Sequence, residues 1–429
     1  MLPIAFMSLQ RFNLTPIKST GFWWLMQFIV LAIFLIGAIV YYKPRNQRLL
    51  IAFNLYMLWT VISIVRGVFI AETYWDWKGL TQNTFAILLP IVVYSILDEE
   101  VLQSVLSFYI KITIPILMLS SISIPLSYWT LFLYPTCFLL LFLPVLNTKW
   151  KVILLIFVII SLIDIGGRAT VVKYCGAFLL MALFYVQLFI STENLIKIVW
   201  KFLLFLPWFL FVLAVTGLFN VFNFKDYIKT DKVIDTKYAS GEIRQQDLTD
   251  DSRTWMYIDV INSAQKYNYW LLGRSPARGN ETDALSLILD EVTGRKERLK
   301  NEANVPNVFT WMGVIGLLLY FMVFYRASYL AVYKSNSIYI KIVGLYTAFR
   351  WLIAWAEDPY TFSTNNLTIW LLWAVCYSPS FRTMNNMEIQ IWVRGIFNKK
   401  YMFLYKYMKQ YTNAKVIKLD SYQFGKRVH

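Results

Sequence analysis

The stretch 220–305, which opens NVFNFKDYIKTDK and closes RKERLKNEANV, carries 13 Lys/Arg and 14 Asp/Glu between long apolar runs on either side. It nets −1, whereas the rest of the chain carries 28 Lys/Arg against 11 Asp/Glu and supplies +17 of the total +16. Lys and Arg near the ends of membrane spans resist translocation, so such an imbalance separates two aqueous compartments.

Working outward from this stretch, 429 residues that are 58% hydrophobic and 18% aromatic are too apolar for a soluble globular protein. Crossing about 30 Å of hydrocarbon takes roughly 17–25 apolar residues. Runs of that kind lie near 21–42, 49–70, 79–97, 102–123, 127–146, 150–165, 170–190, 198–219, 306–325, 338–356 and 364–378. The expected fold is an all-α, polytopic integral membrane protein of eleven spans, or twelve if residues 1–20 hide another. One large external loop joins spans eight and nine. The chain divides into N-terminal membrane helices (1–219), the loop (220–305), C-terminal membrane helices (306–380) and a basic tail (381–429).

The basic excess falls at Lys43, Arg45 and Arg48, at Lys149 and Lys151, and in the tail, where ten Lys/Arg face only Glu388 and Asp420. The tail is therefore expected inside, and its interleaved Trp392, Phe397, Tyr401 and Phe403 suit anionic lipid rather than nucleic acid. Counting back puts the loop, the 71–78 turn, Gly166-Gly167-Arg168 and Glu357-Asp358-Pro359 outside. It puts the N-terminus outside too, with Arg11 and Lys18 on it, so residues 1–20 either lie on the membrane or form that extra span. They lack a short apolar core with a small-residue cleavage site, so the first span is expected to be retained.

Cys137, Cys175 and Cys376 fall in separate expected spans, which gives neither a disulfide framework nor metal-ligand spacing. The one histidine is His429, at the far end of the tail. Neither a metal nor a cofactor is expected. The two halves show no repeat and no matched Gly/Pro interruptions of the kind inverted-repeat transporters carry.

An arginine within or at the edge of a span is costly unless paired or hydrated, and marks a candidate site. Arg66 (SIVRGVF) and Arg168 (DIGGRAT) lie near external span ends, Arg350 (TAFRWL) lies mid-span with Glu357 further outward, and Arg253, Arg274 and Arg278 lie in the loop. Guanidinium groups converging from separate elements suit a phosphate or pyrophosphate, which they bind bidentately. For any one of them alone the simpler reading is an interfacial side chain snorkelling to headgroups; their shared side argues for a common ligand. Asp164 and Asp250-Asp251 are read as structural counter-ions. The segment from Thr282 to Leu289 reads as a short amphipathic helical turn.

The turn DIGGRATVV opening a span, the loop strings DDSRTWMY and LLGRSPARGNE, and the exit KNEANVPNVFTWMGVIGLLLY together resemble the bacterial O-antigen polymerase and ligase superfamily. In the exit, Asn304 precedes Gly313-Val314-Ile315-Gly316, which is similar to that family's entry into the span after its loop. Ligases of the family have a histidine at the exit motif, where this chain reads Glu302-Ala303-Asn304. The resemblance therefore favours the polymerase, with the ligase to lipid A core as the alternative.

The resemblance implies a multi-pass protein of the bacterial inner membrane whose site faces the periplasm. A glycan on undecaprenyl pyrophosphate would pass to a hydroxyl of another lipid-linked repeat unit, as in O-antigen, capsule or exopolysaccharide synthesis. It implies as partners that lipid-linked oligosaccharide, membrane lipid and a chain-length-regulating protein. Such chemistry needs cations to stabilise the departing pyrophosphate and a base for the acceptor hydroxyl. Arg168, Arg253 and Arg278 are the expected clamps, with Arg66 as a fourth and Arg274 beside them. Glu302 is the candidate base, its alternative being a loop carboxylate paired with Arg298 or Lys300. Asn304 and Tyr257 are candidates for sugar hydroxyls, and Trp255 and Trp270 for stacking on sugar rings. A lipid-linked oligosaccharide flippase is the competing class, disfavoured by the size of the loop.

Overall fold

The computed structural model describes the chain apart from residues 11, 43–47, 121, 123, 163–167, 188–191, 224–232, 238–242, 248–252, 284–285 and 411–429. The described residues are mainly helical, and seven helices are long and apolar enough to cross a membrane: Thr20–Tyr41, Ile51–Ile70, Tyr74–Ile96, Glu99–Ser120, Ala169–Val186, Glu193–Val215 and Asn304–Tyr333. The protein is therefore a multi-pass helical membrane protein. Each of the seven coincides with an expected span. The other four expected spans fall on shorter elements. Thr148–Leu162 has 15 residues, Ile338–Ala354 has 17 and Thr364–Tyr377 has 14. The 127–146 run breaks into turns such as Leu126–Trp129 and Leu143–Val145 around Pro125, Pro135 and Pro144, since proline removes a helical donor and clashes with the preceding turn.

Contacts between elements sort the helix ends into two sets that agree with the alternation counted back from the tail. At one end, Arg66 Nη1 donates to Leu272 O at 2.6 Å, Asn83 Nδ2 to Pro276 O at 3.0 Å and Arg253 Nε to Ala356 O at 3.2 Å. At the other, Trp392 Nε1 donates to Glu99 O at 2.9 Å, Arg394 Nε to Val145 O at 3.0 Å and Asn336 Nδ2 to Thr383 O at 2.9 Å. The N-terminal segment belongs to the first set. Helix Leu2–Gln10 is too short to span, and rather than lying on the surface it buries Ile4, Ala5 and Leu9, with Ser8 Oγ accepting from Thr364 N at 3.0 Å.

The beginning of the tail also packs into the bundle. Helix Asn386–Phe397 buries Ile389, Trp392 and Ile396, and Lys409 reaches Glu99 at 2.6 Å. Caps fix the entries of several helices: Thr73 and Asp76 form a reciprocal capping box, and Ser19, Ser337 and Ser363 each accept a first-turn amide.

The loop is less helical than its surroundings. It contains a hairpin of Val233–Lys237 with Ile243–Asp247, helix Thr254–Tyr267, and a two-residue antiparallel pair, Asn280–Glu281 with Glu297–Arg298. Helix Ser286–Thr293 lies inside that pair and covers part of the expected 282–289 turn. The cysteines among the described residues are free.

Candidate functional site

Helix Asn304–Tyr333 is broken at Gly313, whose φ of 67° and ψ of −169° leave the helical region. The loop segment Trp270–Ser275 enters the break. Arg274 N and Ser275 N donate to Thr310 O and Trp311 O at 2.6 and 3.0 Å, and Val314 N donates to Trp270 O at 2.8 Å. Trp59 Nε1 donates to Met312 O at 3.0 Å. Backbone freed by the break is thus satisfied by loop backbone and one indole, which is how a non-helical turn is tolerated inside a buried helix. A Cβ on Gly313 would lie 2.1 Å from Leu271 O, and one on Gly273 2.4 Å from Met312 N. The Gly-Val-Ile-Gly exit string is therefore the seat of the loop.

This docking gathers basic side chains at one end of the bundle. Glu297, 8% exposed, is bridged by Arg274 at 3.0 Å and by Arg278 through Nε at 2.9 Å and Nη2 at 2.5 Å. Arg274 also donates to Gly279 O at 2.7 Å, and its guanidinium sits 4.1 Å above the Tyr267 ring. Arg66 Nη1 and Nη2 hold Leu272 O and Gly273 O on the strip that enters the break. Together Arg66, Arg274 and Arg278 line a cavity of about 500 Å³ with Tyr267, Tyr269 and Trp270.

Glu302 joins the next segment of this seam. It receives Arg253 Nη1 at 2.6 Å and Arg298 Nη2 at 3.2 Å. Beyond it, Asn304 N donates to Glu357 O at 3.1 Å, while the Asn304 side-chain amide is fully buried with both polar atoms unbonded. Tyr257 is partly buried; its hydroxyl donates to Trp355 O at 2.7 Å and its ring stacks on Phe222 and Trp355. Burial pushes its phenol well above the usual range, so it serves here as a hydrogen-bond donor. Arg298 lies over the Trp255 ring at 5.2 Å.

Glu357 anchors a cluster that the sequence reading identified only in part. Lys173 Nζ lies 2.6 Å from Glu357 Oε1 with its side chain 1% exposed, and Arg350 Nη2 lies 3.9 Å from Oε2. Asn365 Nδ2 donates to Glu357 Oε1 at 3.1 Å, and Asn365 Oδ1 accepts from Arg350 Nη2 at 3.3 Å. Two buried cations thus share one carboxylate. Nearby, Lys300 pairs with Asp358 at 2.7 Å and also donates to Tyr360 O. Arg168 opens helix Arg168–Val186, which carries Lys173 one turn later; its side chain lies outside the described set, as do Gly166-Gly167, Asp164 and Asp250-Asp251.

An apolar groove of about 520 Å³ runs alongside, lined by Val172, Pro207, Phe211, Tyr257, Leu352 and Trp355 among others. Val172 and Ala356 on its wall are the chain neighbours of Lys173 and Glu357. The expected site residues therefore form two groups. Arg66, Arg274 and Arg278 share one cavity, while Arg253, Glu302, Asn304 and Tyr257 lie toward the groove, and strand Glu297–Arg298 links them. Lys173 and Asn365 went unread, although a lysine inside an apolar run is the same signal that drew attention to Arg350.

The Glu297 carboxyl gives a pH test of this seam. Burial pushes it up, but hydrogen bonding and charge from Arg278 and Arg274 outweigh burial and hold it below the ordinary carboxylate value. A lowered folded-state value stabilises above the unfolded one, so this contribution is complete above about pH 4.5 and disappears as pH falls through the folded value. Thermal unfolding in detergent should show that acid-side loss, and Glu297→Gln should be less stable at neutral pH with a shallower acid slope. An unchanged slope would mean the bridge adds no stability.

No family model, curated protein or solved structure matches the chain.

Proposed function

We propose that the protein polymerises lipid-linked oligosaccharide repeat units, moving a glycan from undecaprenyl pyrophosphate to a sugar hydroxyl of another lipid-linked repeat at the external face of a bacterial inner membrane. The observation that carries this reading is a pair of buried cations that share one carboxylate beside an apolar groove. Lys173 and Arg350 share Glu357. Burying two like charges around one acid is unfavourable unless an anion completes the set. A pyrophosphate supplies that anion, and the groove takes the first part of its polyprenyl chain.

In this reading Arg253 and Arg168 stand at the donor side with Lys173 and Arg350, and stabilise charge on the departing pyrophosphate. Glu302 accepts the acceptor's proton once substrate phosphate draws Arg253 away from it; in the substrate-free protein it is held by Arg253 and Arg298. The unpartnered polar atoms of the buried Asn304 amide support its reading as a partner for a sugar hydroxyl once substrate opens the seam. Arg278, a clamp on the sequence reading, sits with Arg66 and Arg274 in the second cavity.

The test is to replace Arg168 or Arg253 with Ala and, separately, with Lys, and to resolve surface glycan by size. Ala variants should lose long chains, and Lys should restore them only in part, because an ammonium lacks the bidentate fork. Wild-type chain lengths in every variant would exclude the clamp.

A further inference from the structure

We infer that the cavity bounded by Arg66, Arg274, Arg278 and Trp270 is a subsite for an acidic saccharide, holding a sugar carboxylate or sugar phosphate against the guanidinium groups. Its lining contains three arginines and no carboxylate. Glu297 lies behind Arg274 and Arg278 rather than in the wall, and Glu72 and Asp76 are engaged by Arg295 at 2.9 and 3.2 Å. The arginines are held in place yet keep capacity: among the described residues, Arg66 Nε and Arg278 Nη1 have no hydrogen-bond partner. A fixed planar donor with free N–H groups selects planar or tetrahedral oxyanions over neutral hydroxyls.

The aromatic residues point to a sugar rather than a bare ion. Trp270 packs edge-on against Phe309, which orients its ring, and still leaves 39% of the residue exposed at the cavity. Tyr267 is 40% exposed and lies beneath the Arg274 guanidinium. Oriented, half-exposed rings offer apolar faces to a saccharide while the guanidinium groups take its charge. Leu271 and Leu272, 65% and 46% exposed, give the same cavity an apolar mouth. Such a mouth suits a headgroup-proximal sugar of a lipid-linked glycan.

Calling this saccharide a substrate rests on the polymerase reading; its binding does not. The experiment therefore measures binding without turnover, so that failure of one leaves the other standing. Full-length protein in phosphatidylcholine nanodiscs is titrated with a glucuronate-containing hexasaccharide and with the same hexasaccharide after carboxyl reduction. The acidic form should bind about tenfold more tightly, a margin in keeping with charge-assisted bidentate bonds. Arg66→Gln should remove that margin and leave the reduced sugar unaffected. Trp270→Ala should weaken both forms, and gives an independent reading if Arg66→Gln does not fold. Equal affinity for the two sugars would overturn the inference. So would displacement of the acidic sugar by phosphatidylglycerol built into the nanodisc, because the cavity would then be a lipid-headgroup site.

Discussion

Replacing Gly313 by valine should prevent the loop from seating and leave little folded protein in the membrane. The new side chain meets backbone on the far side of the break: its Cβ would stand 2.1 Å from Leu271 O and 2.3 Å from Leu271 C. Neither atom belongs to a flexible side chain that could swing away. Gly313 also has a φ of 67°, which β-branched residues adopt at a steric penalty. Forced shifts in a packed core and a residue held at positive φ each cost about 1–3 kcal/mol, so a combined loss of several kcal/mol is expected. Gly273→Val should act alike, because its Cβ would meet Met312 N at 2.4 Å from the opposite side. Folded yield and thermal unfolding in detergent check both. Gly217, also at positive φ but with nothing within 4 Å of its Cβ, is the control, and Gly217→Ala should cost only its backbone strain. A Gly313→Val protein as stable as that control would show that the helix and loop are not locked together.

The second large effect separates stability from activity at Glu357. Glu357→Gln leaves Lys173 and Arg350 buried, close together and without their shared carboxylate. Removing one partner from a buried ion pair typically costs about 3–5 kcal/mol. Lys173→Met should be far milder, because Arg350 still balances Glu357 and Met fills much of the same volume; about 1–2 kcal/mol for the lost hydrogen bond is expected. If the surplus cation faces a substrate phosphate, the milder variant should nonetheless lose about a hundredfold in polymer synthesis, comparable with deleting one electrostatic donor from an active site. Thermal unfolding and glycan length, measured on the same two variants, decide this. Full polymer synthesis by Lys173→Met would remove the surplus-cation argument.

Much of the architecture was legible because hydropathy reports burial in lipid directly. Seven expected spans coincide with long apolar helices, and the alternation of helix ends follows the placement of Lys and Arg. Hydropathy is a poorer guide where a local feature competes with it. Apolar residues fill 127–146, but Pro135 and Pro144 within it and Pro125 just before it cut it into short turns. The loop's strands are two to five residues long, too short for an alternating pattern to stand out.

The site was legible as a set of residue types rather than as a set of partners. Arg66, Arg253, Arg274 and Arg278 do gather at one end, yet pairing them with Glu297, Glu302 and backbone carbonyls depends on contacts across up to about two hundred residues of chain. The helix break at Gly313 shows the same limit. Its glycine pair is visible in sequence, whereas the strip that fills it is recognised through main-chain atoms, which carry no residue-specific signature.

The measurement that tests the polymerase reading most directly is the surface glycan profile of a deletion strain, resolved by size on a gel. Long chains should vanish while single repeat units remain attached to their acceptor. Loss of every attached unit, with lipid-linked polymer accumulating behind it, would contradict polymerisation and mark the protein as the ligase.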